Sequence, residues 1–153
     1  MPDGKDCTLF HSIAQIIPWA LVVGGWWIVN KQNNFRERRK ETRAILNQLR
    51  ADLDAIEKQA FSYHTAQEAL IEQGREIKLT LSRISKDVAR HDLLPSGKRH
   101  PIVKLRQAVT LKNFDTDCFQ TQNVNCELLD EISATKDDLI DALEQHFQDH
   151  YQK

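Results

Sequence analysis

"LNQLRADLDAIEKQAFSY", residues 46–63, carries an apolar side chain at every third or fourth position. These positions are Leu46, Leu49, Leu53, Ile56, Ala60 and Tyr63. Steps that alternate between three and four are typical of a coiled-coil seam, where one stripe of a helix packs against another helix. The stretch therefore predicts a long amphipathic helix whose seam supplies a packing or binding surface.

The same seam continues toward the C-terminus and leaves two forms open. It runs through Leu70, Ile77, Leu81, Ile84 and Val88, and weakens where Gln67 and Gly74 occupy seam positions. Residues 30–91 could form one helix, or an antiparallel hairpin that breaks near "SYHTAQE", where Thr65 and Glu68 have the spacing of a helix-starting capping box. We favour the hairpin for residues 44–92, because it buries both stripes within one chain.

The rest of the chain predicts shorter helices that pack on this hairpin. Residues 93–101, "LLPSGKRHP", form a loop, because proline and glycine end helices. Residues 102–153 then hold a short helix and a last helix from about Cys126 to Tyr151, which the cap spacing of Thr135 and Asp138 could interrupt. The apolar stripe of the last helix is Leu129, Ile132, Leu139, Leu143 and Phe147.

Charge is arranged in blocks along the chain. Residues 75–112 hold ten basic and three acidic side chains, whereas residues 127–153 hold eight acidic and two basic ones. Blocks of opposite sign usually contact each other or an oppositely charged surface. We expect the acidic last helix to pack against the basic block.

Residues 9–30 predict a transmembrane anchor of the signal-anchor type. No Asp, Glu, Lys or Arg occurs from Cys7 to Asn30, and a bilayer span needs about 20 apolar residues. A cleaved signal peptide is disfavoured, because the N-terminus lacks a basic region and "WWIVNKQ" is a poor cleavage site. A buried core helix is disfavoured too, because the segment is apolar on all sides.

The flanking residues predict the orientation of this anchor. Residues 31–43 form a basic juxtamembrane collar that meets anionic lipid headgroups, and Trp26 and Trp27 lie at the membrane interface beside it. The basic residues of the collar are Lys31, Arg36, Arg38, Arg39, Lys40 and Arg43. Basic flanks stay in the cytoplasm, so residues 1–8 become a short exported tail.

Small residues within the anchor suggest a packing face. Ala20 and Gly24 are four residues apart, with Gly25 adjacent, and such pairs let membrane helices approach closely. Glycine is also simply common in membrane helices. Self-association through this face therefore stays one of two interpretations.

No catalytic, cofactor or metal site is predicted. The three cysteines make no disulfide framework and have no zinc spacing. His146 and His150 share a helix face, but two histidines near a C-terminus are more often solvated than metal-bound. No phosphate-binding loop, dinucleotide fingerprint or HExxH motif occurs, so we expect a protein that is not an enzyme.

The segments "IIPWALVVGGWWIVN", "FRERRKETR" and "LRQAVTLKNFDTDCF" together resemble small bacterial single-pass inner-membrane proteins with an N-terminal anchor and a cytoplasmic helical domain. The resemblance implies a bacterial inner membrane and transfers no activity. The expected fold is all-α, with one transmembrane helix followed by a cytoplasmic hairpin or coiled-coil-like bundle. The expected function is binding of another protein or of a second copy.

Two other functions stay open. One is a membrane-acting effector, such as a toxin-like or phage-defence component, whose anchor oligomerises. The other is a membrane-tethered nucleic-acid binder, which the basic block permits electrostatically. Nucleic acid is not favoured as a partner, because no aromatic side chains are interleaved with the basic residues for base stacking.

Overall fold

The computed structural model describes the backbone of residues 5–114 and 116–151, and the side chains of residues 21–95, 97–114 and 116–151. This part of the chain forms four α-helices and one short 3-10 turn. The elements are α1, Lys5–Thr65; α2, Ile71–Arg90; the turn, Ser96–Lys98; α3, His100–Thr110; and α4, Glu127–Tyr151. No strand occurs within these described ranges. The prediction of an all-α fold is confirmed.

The chain divides into two compact units, residues 1–41 and residues 42–153. The first unit is helical wherever its backbone is described, and belongs to α1. The second unit contains the rest of α1 and all of α2, α3 and α4. Residues 1–4 of the predicted exported tail, and the side chains of residues 5–20, lie outside the described residues.

The predicted anchor, residues 9–30, is helical throughout. Over the residues that the structure describes, no helix has a stretch long and apolar enough to cross a membrane. The side chains of residues 9–20 are not among those residues. The transmembrane role of this segment therefore stays a prediction.

In the second unit, α1 and α2 form an antiparallel pair. Gly74, near the start of α2, packs against the ring of Tyr63, near the end of α1, with only 3.4 Å between the ring and the position a Cβ would take. At the other end of the pair, Thr42 of α1 and His91, which follows α2, line one cavity. The chain thus reverses over residues 66–70, within the "SYHTAQE" region and just beyond it.

Helices α3 and α4 complete the bundle. Near the start of α4, Ser133 donates to Glu57, which lies toward the end of α1, at 2.7 Å. Further along α4, Glu144 pairs with Arg43, which lies earlier in α1, at 2.6 Å. Helix α4 is therefore antiparallel to α1. Helix α3 packs on both α2 and α4. As a result, α1 and α3 lie between α2 and α4, which occupy opposite corners of the bundle.

Two cap predictions from sequence spacing are wrong. Thr65 does not start α2; it is the last residue of α1, and its hydroxyl donates to the carbonyl of Phe61 at 2.8 Å. Thr135 does not interrupt α4, because its hydroxyl donates to the carbonyl of Glu131 at 2.8 Å. Threonine can form this bond one turn back within a helix, so cap spacing alone does not identify a helix start.

Candidate functional site

The predicted seam residues lie inside the bundle and not on its surface. The structure buries all nine of them: Leu46, Leu49, Leu53, Ile56, Tyr63, Ile77, Leu81, Ile84 and Val88. They join one core with the apolar stripes of α3 and α4. Each fully buried aliphatic side chain stabilises the fold by about 1.5–3 kcal/mol. The seam is therefore buried in the chain's own core and presents no binding surface.

Exposed apolar side chains concentrate in the first unit. Leu21, Val22, Val23, Trp26, Trp27, Ile28 and Val29 are all more than half exposed. Among them, Trp26 is 67% exposed and Trp27 is 61% exposed. Gly24 and Gly25 have no heavy atom within 4 Å of an added Cβ, so this part of the helix surface is open. The side chain of Ala20 lies outside the described residues.

The collar residues directly follow this apolar surface. Lys31, Arg36, Arg38, Arg39 and Lys40 are exposed. The Lys31 ammonium lies 5.4 Å from the centroid of the Trp27 ring, a cation–π contact, and Lys40 pairs with Glu37 at 3.1 Å. The local surface is therefore basic and aromatic next to a run of exposed aliphatic side chains.

Arg43 belongs to the predicted collar. In the structure it makes its contacts within the second unit. Its guanidinium pairs with Glu144 of α4 at 2.6 Å and lies 5.4 Å from the centroid of the Phe147 ring. Arg50 reaches the same carboxylate at 3.4 Å. Arg43 thus links α1 to α4, with its side chain 44% exposed.

The acidic helix α4 packs on α3 of the basic block, as expected, whereas most of its ion pairs reach α1. Within α4, Glu144 meets Arg43 and Arg50, and Lys136 meets two carboxylates of α1. Among the ion pairs of the described residues, Lys112–Glu131, at 2.7 Å, is the one that joins residues 75–112 to α4. The hydrogen bond and the charge of Glu131 raise the pKa of Lys112.

Lys136 forms a small polar network that sequence reasoning missed. Its side chain is 13% exposed, and its ammonium lies 3.0 Å from Glu57 and 3.4 Å from Asp54. Burial lowers the pKa of Lys136, but the carboxylates of Glu57, Asp137 and Asp54 together outweigh burial, so the pKa lies above its usual value. The one signal in the sequence is that Lys136 is the single basic residue of α4 apart from its histidines.

A small cavity with three histidines lies at the end of the bundle that contains Thr42. It has a volume of about 180 Å³, and its polar lining is Thr42, His91, Asp92, His146, His150 and Tyr151. The Thr42 hydroxyl and the Tyr151 hydroxyl are 3.0 Å apart. The rings of His146 and His150 stack, with centroids 6.2 Å apart. Across the part of the chain that the structure describes, no group of three or more His, Cys, Asp or Glu residues is placed to hold a metal ion.

The opposite end of the bundle is closed by an aromatic cluster around His64. The ring of Tyr63 lies 4.6 Å from that of Phe114 and 5.6 Å from that of Phe119, measured between centroids. Residues of the long loop between α3 and α4 tie down the end of α1, since the amide of Gln122 donates to the His64 carbonyl at 2.8 Å. This cluster caps the core.

His64 is the buried titratable residue of this cluster. Its side chain is fully buried, and Nε2 lies 3.2 Å from the carbonyl oxygen of Val109. Because a carbonyl only accepts, the neutral ring carries its proton on Nε2. Nδ1 has no hydrogen-bond partner among the described residues. Burial lowers the pKa of His64, against smaller opposing contributions from the backbone of Val109 and Asn113.

The two cysteines of the second unit are free thiols. Cys118 is exposed and Cys126 is half-buried. No protein-family model matches this chain, and neither a curated protein nor a solved structure shows significant similarity to it.

Proposed function

We propose that this chain is a membrane-anchored helical interaction or assembly module without catalytic activity. Residues 9–30 form a single-pass anchor in a bacterial inner membrane, and residues 42–153 form a cytoplasmic binding domain. The observation that carries the proposal is the run of exposed aliphatic and tryptophan side chains at residues 21–29, next to exposed basic residues.

The exposed apolar surface of the first unit supports the anchor. Val22, Trp27 and Ile28 point to three different sides of one helix, at about 100° per residue, and each is more than half exposed. A surface that is apolar on all sides and so exposed requires a partner, and lipid is the partner that covers every side of a helix. The basic residues that follow would each add about 1 kcal/mol of attraction to anionic headgroups.

The second unit supports the binding role. Its core is closed by its own four helices, so it does not need a partner to fold. Its outer surface is strongly charged, and charged surfaces give specificity and orientation in protein association. The partner is another membrane or cytoplasmic protein, or a second copy of the chain.

Membrane fractionation of two matched valine variants tests the anchor. Val23 is 61% exposed in the first unit, and Val103 is 50% exposed in the second. A lysine at the centre of a membrane helix costs about 2.5–3.5 kcal/mol on insertion scales. Val23→Lys should therefore reduce the membrane-bound fraction several-fold, whereas Val103→Lys should leave it unchanged. Equal behaviour of the two variants would contradict the proposal.

Crosslinking in cells, followed by affinity purification and mass spectrometry, separates the binding roles. A stoichiometric partner protein would support an accessory or anchoring subunit. Self-crosslinked species that disappear with Gly24→Leu would instead favour the membrane-acting effector. Recovered nucleic acid whose binding falls steeply with salt would favour the tethered nucleic-acid binder.

A further inference from the structure

Helix α2 presents a basic face to solvent. Arg75, Leu79, Arg83, Lys86 and Arg90 fall within an arc of roughly 80° on the helix, opposite the buried residues of α2, and Glu72 in the first turn lies in the same arc. All six are exposed, and Leu79 is 63% exposed. Arg90 pairs with Asp87 on its own helix at 3.5 Å. Arg75, Arg83 and Lys86 make no ion pair within the described ranges.

Helix α4 presents an acidic face of the same length. Glu127, Asp130, Asp137, Asp138 and Asp141 are exposed and fall within an arc of roughly 100°, again opposite the buried face. Asp137 contacts the neighbouring Lys136 at 3.4 Å. The other four make no ion pair in the described part of the chain. At 1.5 Å per residue the acidic face is ~21 Å long, and the basic face of α2 is ~22 Å long.

We propose that the basic face of α2 in one copy docks on the acidic face of α4 in a second copy. This inference rests on the proposed assembly function and names its partner and its surface. The two faces match in length and are opposite in charge. In the folded chain they do not meet, because α1 and α3 lie between the two helices. Leu79 supplies an apolar contact within the basic face, and Ala134 lies within the acidic one.

The position of the two faces also determines the kind of assembly. The two faces lie on opposite sides of the bundle. When the basic face of one copy contacts the acidic face of a second copy, the acidic face of the first copy and the basic face of the second stay open. Such a head-to-tail interface does not close on itself as a two-fold dimer. The expected product is a chain of copies whose length rises with protein concentration and falls with salt, since exposed charges are screened over about 8 Å at physiological ionic strength.

A charge exchange between two variants tests this interface on the full chain in detergent. Arg83→Glu/Lys86→Glu reverses the two central charges of the basic face and keeps Arg75 and Arg90, so the net charge of its four basic positions falls from +4 to 0. Asp138→Lys/Asp141→Lys reverses two charges of the acidic face, whose net charge changes from −5 to −1. Each variant alone should sediment as a smaller species, with association weaker by on the order of tenfold. Mixed in equal amounts, the two should recover the sedimentation of the wild type, because each then offers the face that the other lacks. Lys104→Glu/Arg106→Glu on exposed positions of α3 is the matched control and should associate as the wild type does.

Isotope-labelled crosslinking locates the contact. A carbodiimide joins amines to carboxylates without a spacer, so a mixture of ¹⁴N and ¹⁵N protein should yield Lys86 linked to Asp138 or Asp141 between differently labelled copies. The link should vanish at 0.5 M NaCl, on the order of several times physiological ionic strength. Association that all three charge variants leave unchanged would overturn the proposal, and would indicate contact through the anchor. A single small species at every concentration would overturn it as well.

These outcomes are independent of the anchor. If the two charge variants assemble with each other but the wild-type protein is recovered in the soluble fraction, only the membrane proposal is overturned. Membrane-bound protein that associates regardless of these charges would overturn only the α2–α4 interface.

Discussion

The ammonium of Lys136 lies 3.0 Å from the carboxylate of Glu57, so a cation of α4 is held by α1 across the bundle. Both side chains are mostly buried, at 13% and 20% exposure. Ser133 donates to the same carboxylate at 2.7 Å. Because these groups are withdrawn from water, losing one of them leaves the others incompletely paired.

We expect Lys136→Met to lower the free energy of unfolding by about 1.5–3 kcal/mol, the usual contribution of a hydrogen bond to a charged group. The double variant Lys136→Met/Glu57→Gln should lose less than the sum of the two single variants, because the pair is removed together. Urea denaturation followed by circular dichroism measures both. Lys112→Met, which breaks the exposed pair with Glu131, is the control and should leave stability nearly unchanged. Additive losses at Lys136 and Glu57 would show that the two residues are not coupled.

The bundle should lose stability as the pH falls from about 7 to 5, in part through His64. Burial lowers the pKa of this histidine in the folded chain, so the unfolded chain binds its proton first, from near the ordinary value of about 6.5. Stability then falls with pH, by at most about 1.4 kcal/mol per pH unit for one proton. His64→Gln keeps a donor near the Val109 carbonyl and should flatten this dependence. His91→Gln, at an exposed position, should keep the slope, and equal slopes in all three proteins would exclude His64 as the cause.

Two leucines test which apolar positions hold the core. Leu53 has no exposed surface, whereas Leu79 is 63% exposed. Leu53→Ala should lower the free energy of unfolding by about 2–5 kcal/mol, because it removes buried methyl groups and leaves a cavity. Leu79→Ala should change it by less than about 0.5 kcal/mol. Thermal and urea unfolding compare the two, and a comparable loss at Leu79 would mean that its surface is covered.

Gly74 tests the contact between α1 and α2. A Cβ at this position would lie 3.4 Å from the Tyr63 ring and 3.6 Å from the Phe114 ring. That distance admits a methyl group, so Gly74→Ala should be neutral or more stable by up to about 1 kcal/mol through helix propensity. Gly74→Leu should instead destabilise by about 1–3 kcal/mol, because the larger side chain overpacks both rings. Equal melting temperatures for the two variants would contradict the close packing.

The parts of the fold that follow from sequence are those set by local periodicity. The steps of three and four from Leu46 to Tyr63 mark the face of α1 that the structure buries. The parts that do not follow depend on tertiary contacts. Thr65 and Thr135 have cap spacing, yet both hydroxyls bond one turn back within their helices. Gly74 interrupts the apolar pattern of the seam, yet in the structure it is the point where α2 packs closely against the ring of Tyr63.

Charge blocks predict which segments pack together, but not which ion pairs form. The acidic helix α4 packs on α3 of the basic block, whereas its carboxylate Glu144 pairs with Arg43 and Arg50 of α1. An exposed ion pair contributes at most about 1 kcal/mol, so the packing of apolar stripes decides which helices are neighbours. The network around Lys136 could not be predicted from the sequence, because Lys136 lies 82 positions after Asp54 and 79 positions after Glu57.

The most direct test of the central claim uses the chain's own cysteines. Full-length protein carrying Cys126→Ser retains Cys7 before the proposed anchor and the exposed Cys118 in the second unit. Intact spheroplasts are treated with a membrane-impermeant maleimide, and labelling at each cysteine is compared before and after lysis. If residues 9–30 span the membrane with the N-terminus outside, Cys7 is labelled in intact spheroplasts, whereas Cys118 is labelled only after lysis. Protection of both cysteines until lysis, with the protein recovered in the soluble fraction, would contradict the proposed anchor.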